Sequence, residues 1–169
     1  MKDVMFKPYK IIYALLIALL LSLSSLSAQA APGKVEIFDG KTWQRMQKEL
    51  PRPSAVVFST TDCGHCPGVI TALAEQISQR KMAIPLVVVV MDGEGQDDLL
   101  QEPHYQNASR LFIFHGQTAA LQYGINPNWR GITPYVALLP RVGETKLVLG
   151  KPTEPEIKRW LASDERSGK

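Results

Sequence analysis

The 169-residue chain has only two cysteines, Cys63 and Cys66, three positions apart. A disulfide between them closes too short a loop to restrict the unfolded chain much, which excludes a role as a structural staple. Long apolar runs are also scarce. The unbroken apolar block Ile11–Leu21 is 11 residues, and even out to Leu26 it is 16. Both fall short of the roughly 20 residues that span a bilayer as a helix. Charge of one sign is not in excess, because 19 Lys and Arg face 16 Asp and Glu. His104 and His115 have no paired spacing with each other or with the cysteines, so they read as loop or surface residues rather than metal ligands. No internal repeat or low-complexity tract follows the N-terminal segment, which excludes a solenoid or a tail-like chain.

That N-terminal segment carries Lys2, Lys7 and Lys10, then the short apolar block, then serines and Ala28-Gln29-Ala30. A basic start, a brief apolar core and an Ala-x-Ala end are the parts of a secretory signal peptide, with cleavage expected after Ala30. An exported, periplasmic protein is the simplest expectation, with the membrane involved only through the export signal. Residues 31–169 then form one domain of 139 residues, long enough for a real core. Losing three lysines and one aspartate lowers the formal charge from +3 to +1, so no nucleic-acid footprint is left.

Strand and helix signals alternate along this domain. Val35–Phe38 reads as a short strand and Thr42–Leu50 as a helix stopped by Pro51 and Pro53. Ala55–Ser59 is a buried strand leading directly into the cysteines. From Cys66 to Arg80, Val69, Ile70, Leu73 and Ile77 recur at helical spacing. Leu86–Val90 is nearly all valine, as befits a strand covered on both faces. Strand, helix, strand in this order predicts a right-handed parallel βαβ unit. Residues 92–107 read as a loop or short helix, and 110–116 as either a strand or a helix start. Residues 118–123 read as a helix capped by Gly124. Two strands around Val142-Gly143-Glu144 form a hairpin, and a helix begins at Thr153 with Glu156 completing a capping box.

Cys63-Gly64-His65-Cys66 therefore lies between a buried strand and the start of a helix. A half-exposed cysteine at a helix N-terminus has its thiolate favoured by unpaired backbone N–H groups and the positive end of the helix dipole. The pair is a reactive dithiol, and thiol–disulfide exchange is the chemistry it points to.

Over about residues 35–162 the order strand, CxxC, helix, strand, helix, Thr-Pro, hairpin, helix resembles the thioredoxin-like superfamily. Ile132-Thr133-Pro134-Tyr135 is similar to that family's cis-proline loop, Gly150 follows Pro134 by 16 residues as a glycine does in thioredoxins, and the Gly-His filling resembles the catalytic domains of protein disulfide isomerase. The resemblance implies an α/β fold with a central mixed sheet flanked by helices. Residues 92–116 would be an insertion between the first βαβ unit and the cis-proline hairpin.

For function, the resemblance implies an exported thiol–disulfide oxidoreductase without a bound cofactor. Cys63 would be the nucleophile, Cys66 the resolving thiol, and His65 a group favouring the Cys63 thiolate. Thr133 and Pro134 would pair with the substrate backbone; Trp129 and Arg130 lead into that loop, either as part of the substrate face or as plain loop packing. Partners would be exported proteins with thiols or disulfides, and a second redox protein. Two positions depart from the family pattern. Asp62 replaces the usual aromatic residue before the first cysteine and works against the thiolate beside it. Val57 stands where the family buries a carboxylate that takes the second cysteine's proton. Two other readings remain open: a Cu(I)-binding, metallochaperone-type protein using the soft thiolates as ligands, and a non-enzymatic assembly partner.

Overall fold

The computed structural model describes residues 31–162, apart from positions 81 and 97. The proposed signal peptide lies outside the described residues. Among the described residues no helix is long and apolar enough to cross a membrane. The elements run β1 (Val35–Phe38), α1 (Thr42–Glu49), β2 (Ser54–Ser59), α2 (Cys66–Ser78), β3 (Leu86–Val90), two single 3₁₀ turns (Leu99–Gln101 and Tyr105–Asn107), β4 (Arg110–Phe114), α3 (Thr118–Ile125), β5 (Tyr135–Leu139), β6 (Lys146–Leu149) and α4 (Glu154–Ala162).

One six-stranded sheet has the order β1-β4-β3-β2-β5-β6. Its first four strands in that order are parallel, and β5 and β6 are antiparallel. Strand alternation divides the core into two layers. Ala55, Val57, Leu86, Val88, Val90 and Leu111 face α2 and α4, where Ile70, Leu73 and Trp160 meet them. Val56, Phe58, Val87, Val89, Phe112 and Phe114 face α1 and α3, against Trp43, Met46 and Leu121. Every residue of β3 is buried, which is what its uninterrupted apolar run requires of a central strand. Each such side chain contributes about 1.5–3 kcal/mol by leaving water.

The segment between β3 and β4 does more than decorate the domain. Strand β4 enters the sheet itself, between β1 and β3. Leu111 and Ile113 pack on one layer, Phe112 and Phe114 on the other. Arg110 begins the strand at the surface, gripping Glu36 of β1 through Nε and Nη2 at 2.7 Å each. Its guanidinium also lies over the Phe112 ring, 4.7 Å from the centroid. The two preceding turns press Leu99 and Tyr105 into the α2 layer. Gly93 permits this, since a β-carbon there would sit 2.7 Å from Ile113 Cγ2 and 2.8 Å from Leu99 Cδ1.

The open reading of residues 110–116 resolves to a strand, Arg110–Phe114, because its two-residue alternation serves both layers at once. One sequence expectation needs correction. Gly124 does not cap α3, which continues through it and stops at Ile125 when Asn126 turns extended. The capping box is present, with the Thr153 N–H and hydroxyl both donating to Glu156 Oε2 at 2.7 and 2.9 Å. Both Thr133–Pro134 and Arg52–Pro53 are cis peptides, and the second was not anticipated.

Candidate active site

Strand β2 occupies the middle of the sheet, and the chain leaves its carboxyl end directly into the cysteine turn. Cys63 N–H donates to Thr60 C=O at 3.2 Å, and Cys66 N–H donates to Cys63 C=O at 3.1 Å. These two bonds wind the chain into α2, whose first residue is Cys66, with Pro67 in the opening turn where a missing N–H costs nothing. The cysteines form a disulfide with Cα atoms 5.4 Å apart. The pair is asymmetric. Cys63 is half-buried at the surface, whereas Cys66 is fully enclosed at 0% exposure.

Three sets of contacts hold the approach to this pair. Register places Val90 beside Ser59, and Met91 N–H then donates to Ser59 C=O at 2.9 Å. The next residue, Asp92, therefore meets Thr61. Its carboxylate accepts from Thr61 N–H at 2.9 Å and from Thr61 Oγ1 at 2.7 Å. Beneath them Tyr105 is buried; burial pushes its pKa up against the influence of the Ser59 hydroxyl, and the nearby Asp92 and Glu102 charges push the same way as burial.

Across from the cysteines runs the loop before β5. Pro134 is buried and Thr133 half-buried. Thr133 Oγ1 lies 3.2 Å from Thr60 Oγ1, and Gly150 N–H donates to Pro134 C=O at 2.8 Å. His65, Val69, Ile132, Pro134, Leu149 and Lys151 line a groove of about 520 Å³ between α2 and this loop. Ile132 and Leu149 expose more than half of their surface along it, at 56% and 57%.

The structure thus brings together Cys63, His65, Cys66, Thr133 and Pro134. His65 is exposed and makes no side-chain cap to α2, so its ring is free to face an incoming molecule. Of the two readings of Trp129, packing within the loop is the one the structure shows. Trp129 is buried under the loop, stacked on Tyr135 with centroids 4.5 Å apart, because a flat indole fills the space between Phe58 and Tyr135. Arg130 is exposed and does not line the groove. Asp62 is exposed and Val57 is buried in the α2 layer. His104 packs against Tyr105 with the rings tilted by 54° and centroids 4.0 Å apart, and burial lowers its pKa while Glu102 opposes. His115 reaches Glu94 at 3.3 Å on the surface. No group of three or more His, Cys, Asp or Glu side chains placed to hold a metal ion occurs among the described residues.

Sequence reasoning missed Asp92, Thr60 and Tyr105. A lone carboxylate directly after a fully apolar strand was the available sign for Asp92, since that end of a parallel strand is where such sites assemble.

No family model matches the chain, and no curated protein sequence matches it. Among solved structures, it is similar to a thioredoxin-related protein from Neisseria meningitidis serogroup B, with a TM-score of 0.49 and 19% identity over 70% of this chain and 90% of that one. The architecture stands on its own strand order. A parallel β2-α2-β3 unit, a cis-proline loop and an antiparallel β5-β6 hairpin followed by α4 surround the disulfide. The chain has a thioredoxin-like α/β fold, with a fourth parallel strand inserted, and carries a CxxC redox pair at the carboxyl end of its central strand.

Proposed function

We propose that the protein exchanges disulfides with exported polypeptides, Cys63 acting as nucleophile and Cys66 as resolving thiol. The observation that carries this reading is the asymmetry of the pair: one sulfur half-exposed ahead of a helix N-terminus, the other enclosed in its first turn. Attack requires a reachable thiolate, and only Cys63 is reachable.

In the reducing direction the Cys63 thiolate attacks one sulfur of a substrate disulfide. The Cys63–substrate mixed disulfide forms and the substrate's other sulfur leaves as a thiolate. Cys66 then loses its proton and attacks the Cys63 sulfur. The protein's own disulfide closes, the second substrate thiolate departs, and two electrons have passed to the substrate. The same steps reversed introduce a disulfide. Strand β2 has no carboxylate to take the Cys66 proton, since Val57 fills that place. This favours release of that proton to water entering the groove. Ile132 C=O and Pro134 C=O are already engaged, which leaves the peptide groups of Thr133 for an extended substrate strand, with the apolar groove beside it for side chains.

Equilibrating the protein in dithiol–disulfide buffers of graded potential tests this. One reversible two-electron transition, abolished by either cysteine substitution and accompanied by transfer to a cysteine-bearing peptide, is expected. A pair that stays oxidised or reduced throughout and transfers nothing would overturn it.

A further inference from the structure

The loop that faces the disulfide is held from beneath by one side chain. Trp129 is 8% exposed and packs on Tyr135 and Phe58, so its ring has a fixed place. Tyr135 is held in turn, its hydroxyl accepting from Asn126 Nδ2 at 2.7 Å. From that seat the indole Nε1–H donates to the backbone C=O of Ile132 at 2.9 Å. Ile132 itself is exposed, and it directly precedes Thr133. Between donor and acceptor the chain must double back, and Gly131 makes this possible with φ +76°. A β-carbon at Gly131 would lie 2.6 Å from Gln122 Nε2, so the loop is also seated against α3.

We infer that Trp129 is a positioning residue for polypeptide substrates: through its indole N–H it fixes the Ile132–Thr133 peptide that an extended substrate strand must pair with. The inference rests on the proposed exchange function and adds to it a division of labour. A substrate with a peptide backbone needs the loop in register, so that its sulfur arrives in line with Cys63. A small disulfide without peptide groups needs only the sulfur atoms to be accessible. Trp129 packs its ring on Phe58 and Tyr135 and bonds to Ile132 and Asn126, whereas the redox pair is held by α2 and Thr60.

The test uses Trp129→Phe, which keeps an aromatic ring in the stack and removes the N–H. Reduced wild type and variant are reacted with a synthetic peptide disulfide of extended sequence and, separately, with hydroxyethyl disulfide. For the variant, the second-order rate constant with the peptide should fall about three- to tenfold, the range for losing one hydrogen bond. The rate with hydroxyethyl disulfide and the midpoint potential should stay within about twofold and experimental error respectively. Gly131→Ala, which displaces the same peptide from the Gln122 side, should reproduce the split, and it serves in place of the first variant if that one fails to fold. Variants equal to wild type on the peptide, or equally slow on both disulfides, would overturn the inference. A wild type inert toward both disulfides would instead overturn the exchange reading beneath it.

Discussion

Thr60 and Thr133 place their hydroxyl oxygens 3.2 Å apart, one on the turn leading into the cysteines and the other beside the cis-proline. They are 73 residues apart in sequence, and this contact ties the cysteine turn to the loop opposite. A net contribution of about 0.5–1.5 kcal/mol is expected from such a bond. Denaturant unfolding of Thr60→Val, Thr133→Val and the double variant should therefore give a coupling energy of that size. Strict additivity of the two single substitutions would show the hydroxyls to be independent.

The Asp92 carboxylate receives two donors of Thr61, backbone and side chain. Asp92→Ala should free Thr61, cost about 1–2 kcal/mol, and speed exchange of the Thr61 amide hydrogen about tenfold. An unchanged Thr61 exchange rate in that variant would mean the turn is held by something else.

Glu156 ties α4 to the hairpin that carries Gly150. Its pKa is lowered from 4.5 to about 2, first by Lys146 at 2.8 Å and then by the Thr153 N–H and hydroxyl. A folded-state pKa below the unfolded value stabilises the fold above about pH 4.5, and that contribution is lost as the pH falls toward about 2. The stability difference between wild type and Glu156→Gln, followed by denaturant midpoints, should be constant above pH 4.5 and shrink between there and about pH 2. A difference independent of pH across that window would contradict the ion pair and cap.

Much of this fold was legible because its central strands have no other use for their residues. Leu86–Val90 has no polar position at all, and Val69, Ile70, Leu73 and Ile77 mark the buried stripe of α2. The cysteines and Thr133-Pro134 are legible as motifs, and only the family resemblance sets one against the other. What escaped was non-local. Nothing in Arg110–Phe114 announces that it will lie between β1 and β3, since strand order depends on how distant segments compete for the sheet. The sequence leaves Trp129 open between the substrate face and packing within its loop; its partners Phe58 and Tyr135 are 71 and 6 residues away, and only folding brings all three together.

Export should leave a protein beginning near Ala31. Intact-mass measurement of material secreted from cells expressing the full chain is expected to show loss of residues 1–30. A mass that includes Met1–Ala30 would contradict cleavage after Ala30.

The two cysteines examined separately test the central claim most directly. Cys66→Ala keeps the half-exposed thiol and removes the group that would release the substrate. It should accumulate a covalent mixed disulfide with polypeptides in the compartment where it resides, visible on a non-reducing gel and cleared by dithiol. Cys63→Ala keeps only the enclosed thiol and should trap nothing and alkylate slowly. Equal trapping by both variants, or trapping by Cys63→Ala alone, would contradict the assignment of Cys63 as nucleophile and Cys66 as resolving thiol.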